Sequence, residues 1–238
     1  MIKIENYEVV GWGHAIRGMR NPMNSWDKSD SGYKCPYGEV GCEGSCTQNI
    51  VLGPNDHDLM MRLAKAGPVH GKFRRMITVY VDITAPLYWW KEFDTCKVGT
   101  VANSCSTMHK IHAEPFERDM FSYEHLESEN DFYMPCENSN SDDRYEDSFN
   151  AKIVLDVIIE ALNHYRELYL KTKDKKYWQQ MIQLLPSSYN QKRTVQLNYE
   201  VLANIYEYRK NHKLDEWVEF CKWIETLPYS EIITGKSE

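Results

Sequence analysis

Two segments of the chain hold most of the residues that could do chemistry. The first runs Lys97-Val98-Gly99-Thr100-Val101-Ala102-Asn103-Ser104-Cys105-Ser106-Thr107-Met108-His109-Lys110 and follows an aromatic run that needs no such residues. Small and hydroxylated residues between lysines offer many backbone N–H groups and short side-chain donors, which suits a phosphate or a nucleotide. A plain turn with buried hydroxyls reads equally well from these residues alone. Cys105 is a nucleophile on paper: His109 and Lys110 would lower its pKa, but no base is placed by spacing.

The second segment, Leu185-Pro186-Ser187-Ser188-Tyr189-Asn190-Gln191-Lys192-Arg193-Thr194-Val195-Gln196-Leu197-Asn198, runs into a helical pattern carrying Glu200, Asn204, Arg209 and His212. Polar groups recur there along one side of an otherwise apolar helix. That stripe is either a solvated face or a ligand site. A third cluster, Cys35, Cys42 and Cys46, has a C-x6-C-x3-C spacing that matches no standard zinc pattern and supplies only three thiolates. A metal there needs a fourth ligand such as His57, and an ordinary surface insertion is the simpler reading.

The whole-chain numbers limit what these groups can serve. The 238 residues are 42% hydrophobic and 13% aromatic, enough for a packed core. We expect one α/β unit over 1–238, with a Cys-containing insertion near 31–50 and an acidic connection near 114–147. A formal charge of -7 opposes a nucleic-acid backbone, so an anionic ligand has to be held by a local site. No apolar run reaches the roughly 18 residues that span a bilayer, and Met1-Ile2-Lys3-Ile4-Glu5-Asn6 lacks the apolar stretch of a signal peptide. The expectation is a soluble, cytoplasmic protein. Of seven cysteines, Cys96, Cys105, Cys136 and Cys221 lie apart, as free thiols would in a reducing compartment.

The elements that must position these groups follow from periodicity. Asn55 is the expected cap of a helix through Leu59, Met60 and Leu63, with Gly67 at its C-terminal end. Ile77, Val79, Val81 and Ile83 alternate with polar neighbours as a half-buried strand does. Pro86 opens an aromatic helix through Trp89, Trp90 and Phe93. Glu114 to Asp147 is polar and aperiodic, a long connection. Three helices close the chain, through Leu155 to Tyr169, Tyr199 to Tyr208, and Trp217 to Trp223, the last capped by Asp215. The turn-rich stretch from Arg17 to Ser29 is a binding loop or a solvated one.

Taken together, the two segments resemble the flavin-dependent thymidylate synthases. That family shows a strand, an Ala-Pro pair, an aromatic helix and an Arg-His-Arg-x-x-Ser-x-Asn-x-x-Ser-x-Arg-Tyr loop. Here the order is strand, Ala85-Pro86, Trp89 to Phe93, then the loop with Asn103 and Ser106. The family's later Leu-Pro, tyrosine turn, Thr-Val-Asn-x-Arg helix and Leu-Arg-x-x-x-His meet Leu185-Pro186, Tyr189, Thr194-Val195, Asn198, Asn204, Tyr208-Arg209, His212 and Trp217, shifted by one or two residues. The similarity covers about 56–112 and 176–225. The basic triad is reduced to Lys97, Met108 replaces the arginine before tyrosine, and Glu200 stands where the later helix has its first arginine.

The resemblance implies an antiparallel-rich sheet flanked by helices, FAD as cofactor, and a pyrimidine nucleotide such as dUMP as substrate. It implies reductive methylation with NADPH and methylene-tetrahydrofolate, in a homotetramer; the net charge and the short apolar runs set the expectation of no nucleic-acid and no membrane partner. By the same resemblance Ser106 and Arg209 are catalytic, and Lys97, Asn103, Thr107, His109, Lys110, Gln191 and Arg193 join them in binding substrate. His70, Lys97, Asn198, Asn204 and His212 are the cofactor contacts. An enzyme modifying another pyrimidine nucleotide and a non-catalytic nucleotide binder are the alternatives.

Overall fold

The computed structural model describes residues 2–34, 50–96, 98–129, 132–135 and 146–236. In chain order the strands are β1 (Lys3–Val10), β2 (Gly32–Tyr33), β3 (Ile50–Val51), β4 (Thr78–Pro86), β5 (Val101–Ser104), β6 (Phe132–Pro135), β7 (Glu146–Phe149) and β8 (Asn190–Asn198). The helices are α1 (Trp12–Arg20), α2 (Pro54–Lys65), α3 (Leu87–Phe93), α4 (Ala151–Thr172), α5 (Lys175–Leu184), α6 (Tyr199–Arg209), α7 (Asp215–Glu225) and α8 (Glu231–Thr234). Contacts divide the chain into two compact units, one made mainly of Ile2–Thr84, Lys91–Ser104 and Lys192–Glu238, the other of Ala85–Trp90 and Cys105–Gln191.

The first unit is built on a sheet of strand order β1-β4-β8-β5, in which β1 pairs antiparallel with β4 and β5 with β8. The alternation read from the sequence holds on β4: Val79, Val81 and Ile83 are buried and Tyr80 is exposed. On β1 the register shifts between Glu5 and Glu8, around Asn6 in a left-handed conformation. Asn6 Nδ2 donates to Asp82 Oδ2 at 3.1 Å, and Thr194 Oγ1 to Asp82 Oδ1 at 2.7 Å, which ties three strands side by side. Trp12, Leu202, Ile205, Trp217, Phe220 and Ile224, all buried, complete this core from α1, α6 and α7.

The second unit packs α4 antiparallel on α5 around Leu155, Leu162 and Met181, with Ile111, Phe116 and Phe121 filling the layer below. The turn between the two helices places Lys173 at φ 57° and Asp174 as N-cap, its carboxylate accepting from Lys176 N at 3.0 Å.

Three expectations are corrected. Helix α2 starts at Pro54 with Gly53 as N-cap, so Asn55 lies inside it. Its cap is supplied from a distance, since the Asp30 carboxylate accepts from Asn55 N (2.9 Å) and Asp56 N (3.1 Å). Helix α7 is preceded by Leu214, and Asp215 sits in its first turn, where its charge meets the positive helix end. Pro86 closes β4 instead of opening α3, because the strand continues to the residue before Leu87. The expected helices near 155–169 and 199–208 are α4 and α6, and Gly67, at φ 94°, follows the end of α2 as expected. Part of the polar connection forms the β6–β7 hairpin, while 136–145 lie outside the described residues.

Candidate functional site

Helix α6 begins where β8 ends, at Asn198, whose Oδ1 accepts from Val201 N at 3.0 Å and caps the helix. That leaves the Asn198 amide NH2 toward Gly99, where an added Cβ would stand 3.6 Å from Nδ2. Gly99 holds φ 84°, a conformation that side chains disfavour, so the turn after α3 passes close to the α6 cap. A cavity of about 780 Å³ opens here, lined by Thr95, Cys96 and Gly99 from that turn, by Asn198, Glu200, Val201, Asn204, Ile205, Tyr208 and Arg209 from the α6 side, and by Pro68 and Arg75. Its size lies within the roughly 300–1,000 Å³ of small-molecule sites, and its wall sets apolar side chains among polar and charged ones.

The charges in this wall are arranged by pairing. Glu200 is buried in the first turn of α6 and meets Arg74 at 2.6 Å (Nη2) and 2.7 Å (Nε). The carboxylate at this position is therefore neutralised by a guanidinium from the 3-10 turn Gly71–Met76. Arg75, the next residue, lines the cavity and makes no ion pair among the described residues.

At the far end of α6, Arg209 is set by Glu92 and Trp217. Its Nη1 lies 3.3 Å from Glu92 Oε2, and its guanidinium stands 5.0 Å over the Trp217 ring. The same Glu92 oxygen accepts from Trp217 Nε1 at 3.0 Å. Arg209 Nε is buried with no hydrogen-bond partner among the described residues. A buried donor left unpaired costs about 1–3 kcal/mol, so this atom is suited to an incoming acceptor. His212 does not line the cavity: Leu214 N donates to its Nδ1 at 3.2 Å, which leaves the proton on Nε2, 3.5 Å from Glu92.

The remaining residues predicted from sequence have other surroundings. Asn103 is on β5, opposite Thr194, in a segment that reads as a loop from sequence and is a sheet edge in the structure. Ser106 is exposed and its Oγ accepts from His109 N at 2.9 Å, forming a turn that leaves His109 and Lys110 in solvent without ion pairs among the described residues. Thr107 is half-buried in that turn. Trp178 Nε1 and Arg166, from α5 and α4, brace this stretch by donating to the carbonyls of Met108 and His112 at 2.9 and 3.1 Å. Gln191 is buried and donates to Cys105 O at 2.8 Å, a structural bond that fixes the same stretch. Cys105 itself is exposed, and no base reaches its thiol among the described residues. Arg193 Nη1 pairs with Asp94 at 3.0 Å. His70 precedes the 3-10 turn Gly71–Met76, without a side-chain capping bond, and lines a second cavity with Lys72 and Arg75. Lys97, Cys35, Cys42 and Cys46 lie outside the described residues. His57 Nε2, the suggested fourth ligand, is 2.6 Å from Glu231 Oε1.

The sequence reading brings Asn198, Asn204 and Arg209 to one cavity and misses Arg75, Glu92 and Arg74. Arg75 carried a signal, standing next to Arg74 before an apolar strand; Glu92 carried none, since its partners lie more than a hundred residues away.

No protein-family model matches the sequence, and no curated protein matches it. Solved structures do. Thymidylate Synthase X (ThyX) from Helicobacter pylori, crystallised with FAD and dUMP, matches at TM-score 0.61 and 16% identity, over 98% of this chain and 97% of that one. A second structure of the same flavin-dependent enzyme, again with FAD and dUMP, gives 0.60 and 15% over 100% and 99%. The UMP/dUMP methylase PolB from Streptomyces cacaoi, bound with 5-Br dUMP, gives 0.52 and 12% over 99% and 94%. The chain therefore has the fold of the flavin-dependent thymidylate synthases, as a mixed structure of helices and antiparallel sheet.

Proposed function

We propose that the chain is a divergent flavin-dependent thymidylate synthase-like protein that binds FAD and a pyrimidine nucleotide in the α6 cavity. The observation that carries this reading is Arg209, held over Trp217 by Glu92 at the cavity wall with a buried Nε that has no partner among the described residues. A guanidinium fixed in this way binds a ring carbonyl or phosphate without first paying to be ordered.

The donor set fits a flavin. Asn204 and the amide NH2 of Asn198 would hold ring heteroatoms, Arg75 would hold a phosphate, and Val201, Ile205 and Tyr208 would cover an apolar ring face. Bound flavin supplies hydride transfer to the nucleotide-derived substrate. The chain's own residues orient the pyrimidine and stabilise negative charge on its carbonyl through Arg209, while the apolar wall limits water. Ser106 matches the family serine, and its catalytic role belongs to the same proposal. NADPH and methylene-tetrahydrofolate as co-substrates, and a cytoplasmic homotetramer, belong to the same proposal.

Absorbance in the flavin region on purification, together with mass spectrometry of released ligands, tests the reading. FAD and a pyrimidine nucleotide are the expected species, and protein with no affinity for either refutes it. Competition among dUMP, dCMP and UMP then separates methylation of dUMP from modification of another pyrimidine. Nucleotide binding without flavin would leave the non-catalytic binder.

A further inference from the structure

A third cavity, of about 360 Å³, lies between α1 and the stretch Trp26–Tyr33 and shares no residue with the α6 cavity. Two aromatic side chains line it while staying open to water: Trp26 is 51% exposed and Tyr33 42%. Hydrogen bonds hold both rings. Trp26 Nε1 donates to Asn21 Oδ1 at 2.8 Å, and the Tyr33 hydroxyl accepts from Gly13 N, in the first turn of α1, at 3.0 Å. An added Cβ at Gly13 would stand 3.0 Å from that hydroxyl oxygen, so the glycine is what admits the tyrosine. Exposed rings fixed by their polar ends cost little to order and suit a flat apolar partner.

The polar groups decide what else that partner carries. Arg20 is already used: its Nε donates to Asp56 Oδ1 at 2.6 Å, and its other nitrogens to Ser25 O at 3.1 Å and Lys28 O at 3.0 Å. The Ser29 hydroxyl donates to Asp56 Oδ2 at 2.8 Å. Donors remain for a ligand: the Arg17 guanidinium, and the hydroxyl protons of Tyr33 and Ser31, whose oxygens accept from Gly13 N and Gly53 N. Arg17 makes no ion pair among the described residues, and its Nη2 lies 3.0 Å from His14 Nδ1. No carboxylate or amide side chain lines the cavity. A cation is therefore repelled and a polyol finds no such side chain to accept its protons, whereas a carboxylate takes up these donors in charge-assisted bonds.

We infer that this cavity is a binding site for a small aromatic carboxylate, its ring against Trp26 and Tyr33 and its carboxylate at Arg17. At about 360 Å³ the cavity falls near the lower end of small-molecule sites, with room for one or two rings and not for a dinucleotide. Arg17, Trp26 and Tyr33 stand outside the α6 cavity, so the inference does not depend on the flavin and pyrimidine reading.

Calorimetric titration of the intact protein with 2-naphthoate, 2-naphthylmethanol and acetate tests it. The expected result is saturable binding of 2-naphthoate, about tenfold tighter than either of the others, that weakens as salt is raised and persists in excess dUMP. Arg17→Gln changes an exposed side chain; it is expected to keep the affinity for the alcohol and to erase the preference for the carboxylate. Trp26→Leu is expected to weaken 2-naphthoate and the alcohol together. No saturable binding of 2-naphthoate overturns the inference. So does an undiminished preference in Arg17→Gln or an unchanged affinity in Trp26→Leu, since the ligand would then sit elsewhere. Displacement of 2-naphthoate by dUMP overturns it as well, because the α6 cavity would then be its site. Failure of the flavin and pyrimidine reading is a separate result, seen as absent dUMP and FAD binding with 2-naphthoate binding and its response to both variants intact.

Discussion

Replacing Glu200 by alanine removes the partner of a guanidinium that is itself mostly shielded from water: the side chains of Arg74 and Glu200 are 11% and 9% exposed and meet at 2.6 Å. Two costs are separable. Loss of a carboxylate in the first turn of α6 forfeits its interaction with the helix end, about 0.3–1 kcal/mol. Leaving Arg74 buried with the Ile232 carbonyl, at 3.4 Å, as its one remaining acceptor among the described residues costs about 3–5 kcal/mol by analogy with other broken buried pairs. The second term dominates, and for a chain of this size it corresponds to a fall in Tm of roughly 6–20 °C. An apolar double variant, Arg74→Met with Glu200→Leu, removes both charges and is expected to recover most of that loss. Urea unfolding of the wild type, both single variants and the double variant gives the coupling directly. A Glu200→Ala penalty of about 1 kcal/mol or less would leave only the helix-end term and refute the reasoning; so would a double variant no better than the worse single. Glu200 also lines the α6 cavity, so Glu200→Gln, which exposes the Arg74 charge to a bound anion, is expected to tighten dUMP binding.

Four further outcomes follow. Arg209→Ala is expected to keep the fold and lower turnover by about 10²–10³, the scale of one lost transition-state donor; steady-state kinetics on folded variant with wild-type turnover would contradict this. Asp82 is held at a pKa of about 2, below its ordinary 3.8, chiefly by the hydrogen bond from Thr194, then by Asn6 and Lys192. The folded carboxylate takes up its proton later than the unfolded one, so this contribution is present above pH ~4 and is lost as pH falls toward 2; Tm against pH should be flatter in that window for Asp82→Asn. Burial pushes the Cys221 thiol up to about 11, so peptide mapping after brief iodoacetamide treatment at pH 8 should find Cys105 alkylated and Cys221 untouched. In solution the protein is expected to be a symmetric oligomer, and a light-scattering mass near 28.1 kDa would show a monomer instead.

What could be read in advance was what short-range pattern dictates. The alternation on β4 and the apolar stripes of α4 and α6 appear in the sequence because each depends on neighbours two to four residues apart. Helix α5 was missed although Asp174 caps it and Trp178, Met181 and Ile182 share a face, because its ten residues follow a long helix almost without a break. The cap of α2 was misplaced because it comes from Asp30, and no local rule points there. The same physics divides the candidate site. Asn198, Asn204 and Arg209 lie along one helix and were visible as a polar stripe, whereas Glu92, which sets Arg209, and Arg74, which neutralises Glu200, act across the fold. Glu200 in place of an arginine reads in sequence as a lost charge; in three dimensions it is a paired carboxylate beside an Arg75 that makes no ion pair among the described residues.

The pairing of β2 with β3 bears on how the chain can be altered. Gly32 faces Val51 and Tyr33 faces Ile50, so the backbone on either side of 35–49 is held a strand spacing apart before any residue between them is considered. The Asp30 carboxylate and the Ser31 hydroxyl, which accepts from Gly53 N at 3.0 Å, fasten the same neck to the start of α2. A change confined to the chain between Tyr33 and Ile50 therefore starts and ends on backbone that is held in place without it.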